Sequence, residues 1–163
     1  MIWACAAAGP SKAMIAAIEQ FLELLSNPPV GEPDRLPALE RALNLLSLIY
    51  CDTPEVEPER GDTLEPERRD YMDWRATAQT AFPMLGFYRA AGYGNVTEEP
   101  YDAIADAIDD LADIAGDLEK VLWYWRNSQP IEAMWLFRFS FRAHWGAHLQ
   151  GLRGAVHAAL YDA

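Results

Sequence analysis

Apolar residues recur along most of this chain at intervals of three and four, the spacing that places side chains on one face of an α-helix. These stripes predict a first helix over residues 11–26, a second over 34–50, a third opening at Glu65 and Pro66, and a fourth over 97–125. No segment alternates apolar and polar residues over enough positions to predict a strand. The pattern therefore predicts an all-α fold, an up-and-down bundle of about five main helices.

The most apolar stretch runs from Ser128 to Tyr161 and predicts the last helix. Its bulky residues share one face: Ile131, Met134, Trp135, Phe137, Phe141, Trp145, Leu149, Leu152 and Val156. Its small residues share the opposite face: Ser140, Ala143, Ala147, Gly151, Gly154 and Ala158. A helix without a polar side is expected at the centre of a domain. We therefore expect the other helices to cover it, and the fourth to pair with it in a long antiparallel hairpin across Asn127 and Ser128.

Breaks in the apolar pattern separate helices without dividing the chain. Residues 1–10 predict a loose N-terminal arm, and residues 51–65, rich in Pro, Glu and Asp, predict a solvated acidic loop. Pro83 and Gly86 should end the third helix, leaving a short helical turn through Ala91 and a turn over 92–95. A chain of 163 residues is about one domain long, so we expect a single helical domain over 1–163.

Charge and cysteine content narrow the classes of partner. The 13 basic and 25 acidic residues give a net charge of −12, and such a chain would repel the phosphate backbone of a nucleic acid. The two cysteines, Cys5 and Cys51, are too few for a disulfide framework, which favours a reducing compartment. No run of about eighteen apolar residues is present to span a membrane. We therefore expect a cytoplasmic protein that binds neither nucleic acid nor a membrane.

Aspartates line one side of the predicted fourth helix at intervals of three or four residues. They are Asp102, Asp106, Asp110, Asp113 and Asp117, with Asp109 alongside. Like charges at this spacing repel each other by roughly 0.2–0.5 kcal/mol per pair in an isolated helix. Arg138 and Arg142 lie among the bulky residues of the last helix, and buried arginines need anionic partners. We expect these arginines to meet Asp110 and Asp117, with a solvated face or a bound cation as the alternatives.

His144 and His148 are four residues apart, so on a helix they lie one above the other, as two metal ligands would. A zinc-protease helix needs Glu directly after the first His, and Trp145 occupies that position. His157 points to the opposite side of the helix. A metal site would therefore need carboxylate ligands, with Asp113, Asp117 or a glutamate of the first helix as candidates. The alternatives are structural histidines bonded to a carbonyl or carboxylate, or histidines that transfer protons.

Two segments resemble a bacterial family of unknown function, the domain-of-unknown-function 5063 family. Residues 109–118 read Asp-Asp-Leu-x-Asp-Ile-x-x-Asp-Leu, and residues 135–148 read Trp-x-x-x-Phe-x-Phe-x-x-His-Trp-Gly-x-His, which are similar to that family's signature helices. The sequence departs from the pattern at Ala115 and Gly116, where the family has a larger pair, often with Tyr. The resemblance covers mainly residues 100–160. It implies an all-α cytoplasmic protein with these two helices side by side, and it implies no activity.

The sequence thus favours a non-catalytic helical binding or interaction domain without a cofactor, in which a buried polar network fixes the register of the helices. The network residues would be Asp110, Asp113, Asp117, Arg138, Arg142, His144, Trp145 and His148. The alternative is a divalent-metal protein, with metal-dependent hydrolysis as its activity, whose candidate ligands are His144, His148, Asp113 and Asp117. A third hypothesis is a pocket for a small molecule or peptide, lined by Trp74, Tyr88, Trp135 and Trp145. The partner would be a protein or a small molecule, and exposed aromatic residues would mark a homodimer surface.

Overall fold

A computed structural model of the chain describes residues 9–58, 66, 69–90 and 103–162. The elements, in chain order, are α1 (Pro10–Ser26), α2 (Glu32–Asp52), α3 (Tyr71–Ala81), β1 (Phe87–Ala90), β2 (Ala103–Asp106), α4 (Ala107–Arg126), α5 (Pro130–Ser140) and α6 (Gly146–Tyr161). A π-helical turn over Phe141–Trp145 joins α5 to α6, and these three parts together form the last helix. The predicted all-α bundle is therefore confirmed, with a small sheet added to it.

The starts of the first three helices differ from their predicted positions. Proline in the first turn and a glycine cap, rather than Ser11 or Asp34, begin α1 and α2. The third helix does not open at Pro66, which lies outside any helix. It begins only after Asp70, whose side chain accepts a hydrogen bond from the Met72 amide at 2.7 Å. A short polar side chain that caps the backbone overrides the general preference for Pro at a helix start.

A two-stranded antiparallel sheet precedes α4, where the sequence predicted only helix. Phe87 of β1 pairs with Asp106 of β2, and each strand has four residues, too few for alternation to be recognised. The fourth helix therefore begins at Ala107, and Asp106 caps it by accepting a hydrogen bond from the Ile108 amide at 3.0 Å. The predicted turn over 92–95 and the predicted helix start at 97 lie outside the described residues.

The central helix of the bundle is α4, which packs against α1, α3, α5 and α6. Its inward face is completely buried and consists mainly of aliphatic residues: Leu111, Ile114, Ala115, Leu118 and Val121. We expected the last helix at the centre, and that expectation is wrong. Its bulky face packs inward, but Ala143, Ala147, Gly154 and Ala158 on the small face are exposed. Small side chains carry little apolar surface, so their exposure to water costs little free energy.

A tight turn joins α4 to the last helix and produces the predicted antiparallel hairpin. Ser128 lies in this turn with φ of 60°, in the left-handed region, and the Gln129 amide donates to the Tyr124 carbonyl at 3.0 Å. The hairpin lays the aspartate face of α4 against the histidine face of the last helix. This packing brings the residues of the candidate site together.

The predicted arm and acidic loop are only partly described. Residues 1–8 and 59–65 lie outside the described residues, and Pro10 already belongs to α1. Cys51 and Asp52 are the last residues of α2, and residues 53–58 follow without helix or strand. Within the described ranges, none of the helices combines the length and the apolar character that a membrane crossing requires.

Candidate metal centre

Two histidines of the last helix each bond to a buried aspartate of α4. Nδ1 of His148 lies 2.7 Å from Oδ1 of Asp110, and Nδ1 of His144 lies 2.8 Å from Oδ2 of Asp117. The aspartate side chains are only 7% and 9% exposed, respectively. Because an ionised carboxylate can only accept, Nδ1 is the donor in both pairs. In the neutral imidazole this leaves Nε2 with a lone pair, the atom that a metal would take.

Both carboxylate oxygens of each aspartate accept a hydrogen bond. The second oxygen of Asp110 accepts from the Tyr88 hydroxyl at 2.5 Å, and the second oxygen of Asp117 accepts from Nζ of Lys120 at 2.9 Å. Asp113 lies between them on α4 and differs from both. Among the described residues it accepts no hydrogen bond, and Nε2 of His148 lies 3.6 Å from its Oδ2.

His144, His148 and Asp113 form a group with the dimensions of a metal site. One nitrogen of each histidine and one oxygen of Asp113 lie within 4.8 Å of one another. Metal–ligand bonds of about 2.0–2.2 Å allow two ligand atoms to be at most about 4.4 Å apart. The three ligand atoms are therefore grouped on about the scale of one coordination sphere. Two imidazoles and one carboxylate can therefore reach one ion from one side.

The aspartates of this group outnumber the single lysine that pairs with them. Asp110, Asp113 and Asp117 contribute three negative charges and Lys120 one positive charge, which leaves two negative charges when both imidazoles are neutral. Burial raises the pKa of Asp113, and the positive charges of the two protonated imidazoles oppose that rise. Either two protons on the histidines or one divalent cation would neutralise the cluster.

His148 is held in a state that favours its protonated form when no cation is present. The hydrogen bond to Asp110 raises the pKa of His148, and burial opposes this effect. A metal ion would compete with that proton for the imidazole, because a metal ligand must be the neutral form.

Tyr88 reaches the site from the sheet, a contribution that the sequence did not indicate. Its hydroxyl fits against Gly151 of α6 so closely that a Cβ at that position would overlap the oxygen. The sequence placed Tyr88 in a helical turn and in an aromatic pocket rather than beside Asp110. The only sequence signal for this contact was the glycine at 151, and no spacing rule links it to Tyr88.

Arg138 and Arg142 do not meet Asp110 or Asp117, so the predicted arginine–aspartate network is wrong. Nη1 of Arg138 donates to the carbonyls of Tyr50 and Thr53 at 2.9 and 2.5 Å. These carbonyls are at the end of α2, where backbone acceptors have no partner within the helix and attract cations. Arg142 forms an ion pair with Glu55 in the following segment.

The remaining predicted residues lie away from the histidine pair. Trp145 is completely buried and donates from Nε1 to Ser140 Oγ at 3.0 Å, so it belongs to the core. Trp135 stacks on Phe139 and lines a different cavity from Trp74, so the predicted aromatic residues do not form one pocket. His157 is exposed beside Tyr161.

Other acidic residues are engaged elsewhere. Glu19 of α1 pairs with Arg126 at 3.2 Å and Glu23 accepts from Asn27 at 2.9 Å, and neither glutamate belongs to the group of His144, His148 and Asp113. Arg75 of α3 holds Asp106 at 3.1 Å and Asp109 at 2.5 Å. Burial and a hydrogen bond with the nearby Asp109 raise the pKa of Tyr71 to about 12, so this hydroxyl stays protonated.

A cavity of about 230 Å³ lies beside the histidine–aspartate group. Its walls come from the segment before α3, from α3 itself, from α4 and from the π-helical turn. The lining residues are Arg69, Tyr71, Trp74, Ala112, Asp113, Gly116, Asp117, Lys120 and His144.

Comparison with known proteins supports the fold and points to no activity. The crystal structure of protein BF1032 from Bacteroides fragilis is similar, with a TM-score of 0.73 and 18% identity over 96% of this chain and 95% of that chain. At that identity the likeness concerns the fold alone. No curated protein matches the sequence. The model of a domain of unknown function, DUF5063, matches residues 11–162, which confirms the resemblance seen in the sequence and makes this chain a member of the DUF5063 family.

Proposed function

We propose that this chain is a helical divalent-metal-binding domain in which His144, His148 and Asp113 are the protein ligands. The observation that carries the proposal is the pairing of each histidine, through Nδ1, with its own buried aspartate. Ligating histidines in metalloproteins almost always donate their second ring N–H to such a partner, which orients the ring and makes Nε2 more basic. Asp113, which has no hydrogen bond in the described part of the chain, would be the third ligand.

The ligand set favours a first-row transition metal over calcium or magnesium. Imidazole suits zinc, iron and related ions, whereas magnesium and calcium prefer oxygen ligands throughout. Two histidines and one carboxylate are found both in catalytic zinc sites and in non-haem iron sites. In each case three protein ligands leave at least one coordination position for water or another molecule.

The main alternative is the structural network that the sequence favoured, without its arginines. It would consist of the hydrogen bonds between the two histidines and their two aspartates. These hydrogen bonds would fix α4 against the last helix with or without an ion. A purely structural network, however, gives no role to Asp113, whose Oδ2 lies 3.6 Å from Nε2 of His148. Metal binding accounts for that carboxylate as well as for both histidine pairs.

Titration of chelator-treated protein with Zn²⁺ in a calorimeter tests the proposal. We expect one ion per chain in the wild type, and at least a 100-fold loss of affinity in the H144A/H148A double variant and in D113A. His157→Ala is the matched control, because His157 is exposed on the same helix and lies outside the site.

Circular dichroism would establish that each variant keeps its helical content. The proposal would be wrong if the wild type bound no zinc. It would also be wrong if H157A weakened binding as much as the double variant, because zinc would then be bound at the surface.

A further inference from the structure

A cavity borders the candidate metal centre. Asp113 and His144 form part of its wall, so an ion that they bind would face the cavity with its open coordination positions. A water molecule occupies about 30 Å³ in the liquid, so a cavity of about 230 Å³ holds roughly seven waters or one small organic molecule.

Two basic side chains line the same cavity. Nζ of Lys120 carries three N–H donors, and the structure uses one of them on Asp117. The Arg69 guanidinium lies 4.2 Å over the ring of Trp74, and within the described part of the chain its N–H groups form no hydrogen bond. A guanidinium that is stacked on an indole is already oriented, and its planar donors match the two oxygens of a carboxylate or phosphate.

Gly116 keeps this cavity open. It lies on α4 in the cavity wall, and a Cβ built on it would have no atom within 4 Å. A larger side chain at position 116 would therefore extend into the empty space of the cavity.

We propose that this cavity binds a small oxyanion, a carboxylate or phosphate group, which would be an additional ligand of the metal and would bond to Arg69 and Lys120. This inference rests on the proposed metal centre and adds the class of molecule that it takes. With a divalent ion bound, the three aspartates, Lys120 and the ion together are neutral, so the Arg69 guanidinium supplies the positive charge that balances the oxyanion, while the free N–H donors of Lys120 bond to its oxygens.

Protein loaded with Co²⁺ provides the test, because the visible spectrum of cobalt changes when a new ligand enters its coordination sphere. Acetate and inorganic phosphate would be titrated separately, with acetamide as the uncharged counterpart of acetate. We expect a saturable spectral change with at least one of the two anions and none with acetamide. The tighter of the two anions identifies the carboxylate or the phosphate class.

Three variants locate the effect in the cavity. R69Q and K120Q should each weaken anion binding at least tenfold, and G116L should abolish it by filling the cavity. R69Q and G116L should bind Co²⁺ with wild-type stoichiometry. The Co²⁺ affinity of K120Q is measured first and its anion titration is made on the fully loaded protein, because Lys120 also bonds to Asp117. R153Q is the control, because Arg153 bonds to Asn44 on the α2 side of the last helix.

The result that overturns this inference is normal Co²⁺ binding combined with no anion response, or with a response that R69Q, K120Q and G116L leave unchanged. That result would leave the metal centre in place. A failure of the wild type to bind Co²⁺ would instead overturn the metal centre itself and this inference with it, so the two failures are distinguishable.

Discussion

Asp110 and Asp117 have the same role at two levels of α4, two helical turns apart. Each places one oxygen on a histidine Nδ1 and the other on a donor from elsewhere, the Tyr88 hydroxyl or the Lys120 ammonium. Both imidazole rings are thereby held in orientation through Nδ1. Asp113 sits between them and has no such partner among the described residues, which makes it the carboxylate best suited to bind an ion.

Replacing Asp110 by Asn should weaken metal binding without removing a ligand. The neutral amide is a poorer acceptor for the His148 ring N–H, so Nε2 becomes less basic and less well oriented. We expect Zn²⁺ affinity to fall by about 10–100-fold, the usual effect of losing such a partner. Calorimetric titration measures it, with Asp73→Asn on the exposed side of α3 as the control. Unchanged affinity in D110N would contradict the role assigned to this aspartate.

The metal-free protein should become less stable as the pH rises above about 6.5, the ordinary pKa of histidine. His148 faces Asp110, Asp113 and Asp117 of α4, and the hydrogen bond to Asp110 raises its pKa in the folded state. A raised pKa means that the stabilisation is fully present below the unfolded-state pKa and is lost as the pH rises through the folded-state value. The pKa of Asp113 is also raised in the folded state, because burial disfavours its ionised form. Its ionisation therefore also lowers the stability of the fold as the pH rises, in a lower pH range than that of His148.

The measurement is the melting temperature of chelator-treated protein from pH 6 to pH 9. The fall should be clearly smaller in H148Q and unchanged in H157Q. A fall of equal size in wild type and H148Q would mean that another group is responsible.

At the scale of elements, the site depends on three parts that meet at one place. The hairpin brings α4 and the last helix together, the π-helical turn contains His144, and the small sheet brings in Tyr88. The amide of Gly146 bonds to the Phe141 carbonyl five residues earlier, and a Cβ at Gly146 would overlap that carbonyl. Single-turn π-helices inside α-helices occur frequently at functional sites.

The contact between the sheet and α6 can be tested through Gly151. G151A should destabilise the protein by about 1–3 kcal/mol, because the new methyl group overlaps the Tyr88 hydroxyl. In the Y88F background the nearest ring carbon is 3.4 Å from the new Cβ, an ordinary contact. There the same substitution should be neutral or should stabilise by roughly 0.5–1 kcal/mol, because Ala is a better helix former than Gly.

Urea unfolding of the four proteins in this cycle measures the two effects. Additive effects of G151A and Y88F would contradict the packing of Tyr88 against Gly151.

At the scale of the whole molecule, the long helices were predictable and the parts that join them were not. The stripe from Leu39 to Ile49 is buried as its spacing predicts, because an apolar period of 3.6 sustained over several turns is typical of an amphipathic helix. Strands of four residues leave no readable period, so β1 and β2 were missed.

The side-chain contacts of the site were likewise predictable only in part. The facing of the aspartate and histidine helices was expected from charge and periodicity. The sequence placed both the arginines and the histidines in the network with these aspartates, and only the histidines contact them. Arg138 instead bonds to the end of α2, and no sequence rule indicates which helix end lies nearby.

We propose that one metal ion lies between the last helix and α4. The most direct test is a crystal structure of protein purified without chelator or affinity tag, with diffraction recorded on both sides of the absorption edge of the metal found. We expect one anomalous peak per chain, about 2.0–2.2 Å from Nε2 of His144, Nε2 of His148 and a carboxylate oxygen of Asp113. A map without a peak at this position in metal-soaked crystals, or an ion bound through Nδ1 after the aspartate pairs have broken, would contradict it.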